Sequence, residues 1–429
     1  MIIVDTALEQ REREERPIRV ALVGAGYMGR GIALEILTRN TGMRLSAIAN
    51  RTPSEAERAY REAGATGART VETEAELERA IAAGEPAVTQ DPLLLSKAEG
   101  IDVVVEATGQ VEVGARVAAA AIEHGKHVVL LNAELDATVG PILKVRADRA
   151  GVILTNTDGD EPGVAMNLYR YVRALGFRPV LAGNIKGLID RYRTPETQAD
   201  FAARHNQKPP MITSFADGTK LSMEAAILAN ATGFGVARRG MDGPSYDHVR
   251  DMVGHFEVDQ LLERGLVDYV LGAEPGSGAF VVGHGDHPIR SQYMSYFKMG
   301  DGPLYIWYQP WHLPNFDLPL TVARAVLFHD AAVTPRGGPQ CEVVAVAKRD
   351  LAAGDVLDGI GGFDCYGVIE NSAAARAEDL LPMGLSGGCR LVRDLPRDRA
   401  ISFGDVSVPD GRLADALWAE QHEVFAKPS

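Results

Sequence analysis

A glycine-rich run near the start of the chain constrains the fold more than any other feature. The apolar segment Arg19–Val23 leads directly into Gly24-Ala25-Gly26-Tyr27-Met28-Gly29 and then into a helical pattern. In this order, Gly24 permits a tight turn, Gly26 lets the backbone approach a pyrophosphate, and Gly29 lets the helix pack closely on the strand. The N–H groups at the helix start then face negative charge. The run therefore predicts a dinucleotide site formed by Gly24, Gly26, Tyr27, Met28 and Gly29.

Strand and helix patterns alternate through the first third of the chain. Strands are expected at Arg19–Val23, Arg44–Ala49, Asp102–Glu106, His127–Leu131 and Val152–Thr155, and helices at Gly29–Thr38, Ser54–Ala63 and Gly114–His124. This alternation predicts an α/β fold with a doubly wound parallel sheet of the Rossmann type. The charged, alanine-rich insertion at 67–100 is expected to be helical and to carry no chemistry.

Changes in composition predict three domains. Residues 1–155 form the nucleotide-binding domain, and residues 156–335, rich in polar loops, form an α+β catalytic domain. Residues 336–429 show short strands around glycine turns and are expected to form a small β-rich domain.

Charge and length exclude several classes of function. The net charge is −14 over 429 residues, which argues against a nucleic-acid partner or an anionic membrane surface and favours a small-molecule substrate. No apolar stretch approaches the roughly 20 residues that span a bilayer, so a cytoplasmic location is expected. The three cysteines, Cys341, Cys365 and Cys389, are expected to be reduced and structural.

The end of the second strand selects the cofactor. A carboxylate normally binds the adenosine ribose of NAD at this point, but the chain has Asn50-Arg51-Thr52. Because Arg51 can pair with a 2′-phosphate and Thr52 can donate to it, the sequence predicts NADP(H). Small residues after a later strand, Ala107, Thr108 and Gly109, are expected beside the nicotinamide ribose.

An acidic loop and a lysine are the first candidates for catalysis. Asp158, Asp160 and Glu161 lie within four positions, so their negative charges repel one another. Three alternatives could offset this repulsion: a divalent metal, a lysine partner or solvent exposure. Asp158 and Asp160 are the candidate metal ligands, and Asp160 and Glu161 are candidate catalytic groups. Lys186, which ends a strand-like segment between glycines, either donates a proton to the substrate oxygen or is a surface lysine.

A second candidate segment precedes an amphipathic helix predicted at Ala225–Thr232. Thr219 and Ser222 are placed either to bind a substrate phosphate, with Lys220 as an additional catalytic cation, or to cap the helix. His205 and Arg191 are expected to line the same substrate pocket. His312 lies in an aromatic loop and is interpreted as structural.

These motifs resemble known families. The run at 23–29 and Val104-Val105-Glu106-Ala107-Thr108-Gly109 resemble the nucleotide domain of homoserine dehydrogenase, and residues 341–408 resemble the SAF module, named for sialic acid synthase and antifreeze proteins. With the acidic loop and Tyr308-x-Pro310-x-His312-Leu313, the whole chain resembles the 1-deoxy-D-xylulose 5-phosphate reductoisomerase-like oxidoreductases.

The resemblance implies NADPH-dependent rearrangement and reduction of 1-deoxy-D-xylulose 5-phosphate to 2-C-methyl-D-erythritol 4-phosphate, an early step of isoprenoid synthesis. It also implies dimerisation through the middle domain. Asn132-Ala133-Glu134 departs from homoserine dehydrogenase, in which a lysine follows the asparagine. Two alternatives stay open: an NADP-dependent dehydrogenase of another small hydroxy acid, aldehyde or homoserine-like substrate, and a non-catalytic NADP-sensing protein.

Overall fold

The computed structural model describes residues 4–38 and 41–426, and it divides the chain into two compact units. Unit 1 comprises Met1–Asp160, Leu313–Thr334 and Leu413–Ser429, and unit 2 comprises Glu161–His312 and Pro335–Arg412. In the described ranges, no helix has the length and apolar character needed to cross a membrane.

Unit 1 is built on a seven-stranded sheet in which every strand pair is parallel. Its strands, in the spatial order β3-β4-β2-β1-β5-β6-β7, are β1 (Ile18–Val23), β2 (Met43–Ala49), β3 (Arg69–Thr70), β4 (Ala87–Thr89), β5 (Val103–Glu106), β6 (His127–Leu130) and β7 (Leu154–Asn156). The central strands are almost completely buried, which explains their continuous runs of Val, Ile, Leu and Ala. The predicted Rossmann-type fold is confirmed.

Helices complete unit 1, and several of them add buried apolar side chains to the core around β1 and β2. They are α1 (Val4–Arg13), α2 (Tyr27–Thr38), α3 (Pro53–Glu62), α4 (Glu74–Ala83), α5 (Pro92–Lys97), α6 (Val111–Glu123), α7 (Ala133–Ala150), α14 (Leu318–Phe328) and α16 (Leu413–Ala426). Local signals set several ends: Thr73 and Glu76 form a capping box on α4, and α7 ends at Gly151 in the left-handed conformation.

The insertion at 67–100 differs from the prediction. It forms helices α4 and α5, but it also contributes β3 and β4, which extend one side of the sheet. These strands are two and three residues long, too short to produce a periodic signal. The sequence patterns also failed to predict α1 and α7.

Unit 2 contains a four-stranded mixed sheet in the order β11-β10-β8-β9. The strands are β8 (Arg178–Lys186), β9 (Leu266–Leu271), β10 (Ala279–His284) and β11 (Leu304–Gln309). The helices of this part are α8 (Glu161–Ala174), α9 (Pro195–Arg204), α10 (Pro209–Ala216), α11 (Thr219–Thr232), a 3-10 turn at Val249–Gly254, α12 (Val258–Glu263) and α13 (Pro288–Tyr296). Apolar side chains of β8, β9 and β10 form its main core.

The C-terminal part of unit 2 is β-rich. It contains β12 (Cys341–Ala347), β13 (Cys365–Asn371), α15 (Ser372–Ala377), β14 (Arg390–Leu391), β15 (Val406–Ser407) and 3-10 turns at Met383–Leu385 and Phe403–Asp405. The strands β12 and β13 pair antiparallel along their full length. Cys341, Cys365 and Cys389 are all buried in this part.

The division into units differs from the three predicted domains. The first boundary lies after Asp160, rather than after residue 155, and the residues at 335–412 join unit 2 rather than standing alone. Two later segments, with α14 and α16, return to unit 1. Leu318 and Val322 of α14 are buried in the core of unit 1, so contacts between segments distant in sequence set the boundaries.

Candidate active site

The glycine turn of unit 1 has the geometry that a dinucleotide requires. Gly24 has a φ of +102°, and a Cβ there would lie 2.8 Å from the carbonyl oxygen of Ala107. A Cβ on Gly29 would lie 2.0 Å from the carbonyl oxygen of Gly24, so only glycine allows the helix to approach the turn. Gly26 faces open space, and Tyr27 is 51% exposed beside it. The turn therefore fits a pyrophosphate against its backbone.

The loop after β2 is braced against this turn. Oδ1 of Asn50 accepts a hydrogen bond from the N–H of Ala25 at 3.1 Å, and Nδ2 of Asn50 donates to the carbonyl of Thr52 at 2.8 Å. Arg51 is exposed, and its guanidinium forms no ion pair with any described residue. Thr52 precedes α3 and its side chain makes no capping hydrogen bond. Both side chains are accessible to a ligand.

The turn after β5 is fixed by a buried carboxyl group. Glu106 accepts hydrogen bonds from the N–H of Thr108 at 2.9 Å and from Nδ2 of Asn132 at 2.7 Å. Burial raises its pKa to about 7, although both hydrogen bonds act in the opposite direction. Through this group, Ala107, Thr108 and Gly109 have a defined conformation while remaining partly exposed.

Unit 2 brings together a lysine and two carboxyl groups from three elements. Nζ of Lys186, the last residue of β8, donates to Oε1 of Glu161 on α8 and lies 3.3 Å from Oε2 of Glu224 on α11. Nδ2 of Asn184 also donates to Oε2 of Glu224, at 3.0 Å. The side chain of Lys186 is 22% exposed, whereas those of Glu161 and Glu224 are 4% and 2% exposed. Lys186 is therefore the member of this trio that a substrate can reach.

The electrostatics of the cluster favour a charged Glu161. Burial alone would raise the pKa of Glu161, but the charges of Lys186 and His312, with hydrogen bonds to Glu224 and Lys186, lower it to about 2. Glu161 therefore forms a buried ion pair with Lys186.

His312 extends the cluster. Its Nε2 lies 3.9 Å from Oε2 of Glu161, and its Nδ1 lies 3.4 Å from the hydroxyl of Ser277. The histidine is thus a neighbour of the carboxyl pair, a placement that its aromatic loop did not reveal in the sequence.

The acidic loop is not a cluster of equivalent carboxylates. Asp158 forms an ion pair with Arg324 and accepts a hydrogen bond from Thr321 at 3.1 Å. Asp160 is buried at the end of the first segment of unit 1. Asp158 is thus paired with an arginine, and Glu161 with a lysine. The assignment of a divalent metal to Asp158 and Asp160 stays a prediction.

The predicted phosphate site at Thr219 and Ser222 requires correction. The helix begins at Thr219 rather than at Ala225, so Ser222 lies inside it, and both side chains are buried. The Thr219 hydroxyl accepts a hydrogen bond from the N–H of Gly367 at 2.8 Å, and the Ser222 hydroxyl donates to the Gly367 carbonyl at 3.1 Å. Both groups are therefore occupied by the backbone of β13. Lys220 is partly buried on the first turn of α11.

The two remaining candidates contact residues outside the lysine cluster. His205 is exposed at the end of α9 and stacks on Phe201, with ring centroids 4.1 Å apart. Arg191 is exposed, and its guanidinium lies 5.7 Å from the centre of the Tyr366 ring. Glu224 and Asn184, in contrast, belong to the cluster and were missed as site residues, because a strand–helix contact over 40 positions leaves no local sequence signal.

Comparisons with known proteins match two segments of the chain. Residues 159–318 match the model of the catalytic domain of oxidoreductase DRL, and residues 24–153 match that of the NAD-binding domain of homoserine dehydrogenase. Homoserine dehydrogenase of Methylobacillus glycogenes is 35% identical over 120 residues, which are 28% of this chain and 26% of that enzyme. This alignment thus spans about a quarter of the curated relative.

Two solved structures align with parts of the chain. Apo scyllo-inositol dehydrogenase from Lactobacillus casei aligns over 73% of this chain and 89% of its own, with 12% identity and a TM-score of 0.41. A 3-ketoreductase from Actinomadura kijaniata solved with NADP aligns over 40% of this chain and 49% of its own, with 21% identity and a TM-score of 0.28.

The family matches and the glycine turn define the class of the protein. It is an NAD(P)-dependent oxidoreductase, with the nicotinamide cofactor assigned to unit 1. The predicted enzyme class is confirmed.

Proposed function

We propose that the chain is an NADP(H)-dependent oxidoreductase of the reductoisomerase type, in which Lys186 exchanges a proton with the substrate oxygen. The observation that carries this proposal is the strand-end lysine held by Glu161 and Glu224. All three residues fall within the segment that matches an oxidoreductase catalytic domain. When bound, NADPH supplies the hydride for reduction of a carbonyl carbon.

Residues of unit 1 would hold this cofactor. Gly24, Gly26 and Gly29 accommodate the pyrophosphate, and the exposed guanidinium of Arg51 supports binding of a 2′-phosphate. The absence of a carboxylate at positions 50–52 favours NADP(H) over NAD(H).

The role of Lys186 follows from its surroundings. A carbonyl that gains a hydride becomes an alkoxide, which needs a proton donor or a cation close to its oxygen. Lys186 is partly exposed and forms ion pairs with Glu161 and Glu224, so its side chain can supply both. In the oxidative direction, the same amine would accept the hydroxyl proton.

The substrate assignment rests on the resemblance to the reductoisomerase-like oxidoreductases. We propose a phosphorylated ketose, 1-deoxy-D-xylulose 5-phosphate, with 2-C-methyl-D-erythritol 4-phosphate as product. Since the hydroxyls of Thr219 and Ser222 are hydrogen bonded to Gly367, this proposal does not assign them to the phosphate.

The same resemblance supports two further proposals, a homodimer and an SAF-like C-terminal domain. Light scattering of the purified protein tests the dimer.

Product analysis provides the main test. The purified protein is incubated with NADPH and 1-deoxy-D-xylulose 5-phosphate, homoserine precursors or non-phosphorylated hydroxy- and oxoacids, and products are identified by NMR. The rearranged, reduced tetrol phosphate supports the proposal. NADPH oxidation only with unphosphorylated acids, without skeletal rearrangement, would identify a simple dehydrogenase instead.

Lysine variants test the catalytic assignment. Lys186→Met should lower kcat by about 10²- to 10⁴-fold, the usual contribution of general acid–base catalysis. Lys208→Met, which changes an exposed lysine at the start of α10, is the control and should retain activity. An active Lys186→Met variant would remove this residue from the chemistry.

A further inference from the structure

The helix α11 connects the lysine cluster to the C-terminal part of unit 2. Every residue of this helix except Lys220 is buried. Glu224, in its second turn, contacts Lys186 and Asn184 of β8. Thr219 and Ser222, within five positions of Glu224, bind the backbone of Gly367 in β13.

The contact with β13 is close and specific. A Cβ on Gly367 would lie 2.9 Å from Cγ2 of Thr219 and 2.9 Å from Cγ1 of Val343. A side chain at position 367 would therefore clash, and α11 packs directly on the backbone of β13. At the other end of α11, Oδ1 of Asn230 accepts hydrogen bonds from the N–H groups of Gln340 and Cys341, at 2.7 and 3.1 Å. The β12–β13 hairpin therefore holds the helix near both ends.

A buried ion pair strengthens the first of these attachments. Asp217 accepts a hydrogen bond from the N–H of Thr219 at 2.9 Å and another from Nζ of Lys348 at 2.9 Å. Lys348 also donates to the carbonyls of Arg193 and Gly362, each at 2.8 Å. The side chain of Lys348 is 2% exposed, and burying a charge destabilises a protein unless the charge is paired. Here the buried pair links the start of α11, the segment after β8 and the C-terminal part.

We propose that residues 335–412 set the axial position of α11, and thereby the placement of Glu224 against Lys186. Thr219 is then a positioning residue that acts through Glu224. The expected effect on kcat rests on the proposed catalytic role of Lys186. The effect on the position of Glu224 does not, because the contacts of α11 involve no substrate.

Substitutions on α11 separate positioning from general stability. Thr219→Val removes the hydroxyl at similar volume, and Thr219→Ser keeps it. Thr232→Val is the matched control, because the Thr232 hydroxyl donates to the Leu228 carbonyl at 2.7 Å and accepts from the N–H of Phe234 at 3.3 Å, away from β13. Thr219→Val should lower kcat about fivefold or more, because the N–H of Gly367 loses its acceptor and the displaced helix moves Glu224 relative to Lys186. KM for NADPH should not change, and Thr219→Ser and Thr232→Val should stay within about twofold of the parent.

A second measurement is independent of substrate. The rate of reductive methylation of Lys186, followed by mass spectrometry across pH in the ligand-free protein, reports the environment of its amine. Thr219→Val should shift this pH profile, whereas Thr232→Val should not. If Thr219→Val does not fold, Ser222→Ala, which removes only a donor to the Gly367 carbonyl, takes its place.

The outcomes distinguish the two proposals. A shifted methylation profile supports the positioning role even if no substrate is turned over, a result that would count against the proposed function alone. An unchanged profile in Thr219→Val, or an equal shift in Thr232→Val, would overturn the positioning role whatever the activity.

Discussion

Nδ2 of Asn132 lies 2.7 Å from Oε2 of Glu106, and neither side chain is exposed to water. Oδ1 of Asn132 accepts a hydrogen bond from the N–H of Leu135 and so caps α7. Because Glu106 also binds the N–H of Thr108, this pair joins the start of α7 to the proposed cofactor wall at 107–109.

The Glu106–Asn132 pair predicts pH-dependent cofactor binding. The pKa of Glu106 is raised to about 7 by burial, and protonation turns one acceptor oxygen into a donor that conflicts with the N–H groups around it. The dissociation constant for NADPH should therefore increase as pH falls below about 7. Glu106→Gln should bind NADPH several-fold more weakly at pH 8 and lose this pH dependence. Fluorescence titration of NADPH measures both, and an unchanged pH profile in the variant would exclude Glu106 as its origin.

Arg51 predicts the cofactor preference. Its guanidinium is exposed at the end of β2, where it can pair with the 2′-phosphate of NADP(H). Charge-assisted hydrogen bonds contribute about 1.5–3 kcal/mol, so Arg51→Ala should weaken NADPH binding about 10- to 100-fold. NADH binding should change little. Arg61→Ala, on the exposed side of α3, is the control, and equal losses for both cofactors in Arg51→Ala would contradict the assignment.

The sequence was sufficient for the features that depend on local order. The glycine turn and the main strands of unit 1 follow from short patterns, since Gly24 and Gly29 lie where only glycine fits. Lys186 was found because it ends an apolar strand. In contrast, α7 is buried on nearly all sides and contains Pro141, so it lacks the polar face and uninterrupted pattern that identify a surface helix.

The composition of the site depended on tertiary contacts. Glu224 reaches Lys186 only because α11 packs beside β8. Because α11 begins at Thr219, Ser222 lies inside the helix, and its hydroxyl donates to the carbonyl of Gly367 rather than binding a phosphate. The ion pair of Asp158 with Arg324 joins residues 166 positions apart. Such pairings are set by the packing of the whole unit, and one sequence contains no record of them.

The ionised carboxyl group of Glu161 should stabilise the folded protein at neutral pH, and this stabilisation should be lost in acid. Its pKa is lowered from 4.5 to about 2 in the folded state, so the unfolded state binds more protons between these values. The stabilisation is complete above about pH 4.5 and is lost as pH falls toward 2. Glu161→Gln should therefore lower the melting temperature at neutral pH and flatten the acid limb of the stability profile. Calorimetry from pH 2.5 to 7 measures this effect, with Glu123→Gln, at the exposed end of α6, as a control outside the lysine cluster.

Asp136 should act on stability in the opposite direction. Its carboxyl group is buried against Gly140 and accepts a hydrogen bond from Asn156, while its other oxygen has no hydrogen-bond partner among the described residues. Burial consequently raises its pKa from 3.8 to about 7. Between these values the folded state binds more protons than the unfolded state, so the free energy of unfolding falls as pH rises, by as much as about 4 kcal/mol.

Asp136→Asn removes this titration while keeping the shape of the side chain. The variant should match the parent near pH 4 and exceed its melting temperature above pH 7, with a residual slope from Glu106, whose raised pKa acts in the same direction. Asp148→Asn, on the exposed end of α7 beside Lys144, should leave the slope unchanged. Thermal unfolding at pH 5 and pH 8 measures the difference. If Asp136→Asn kept the full slope of the parent, the titration would have to come from another buried acid.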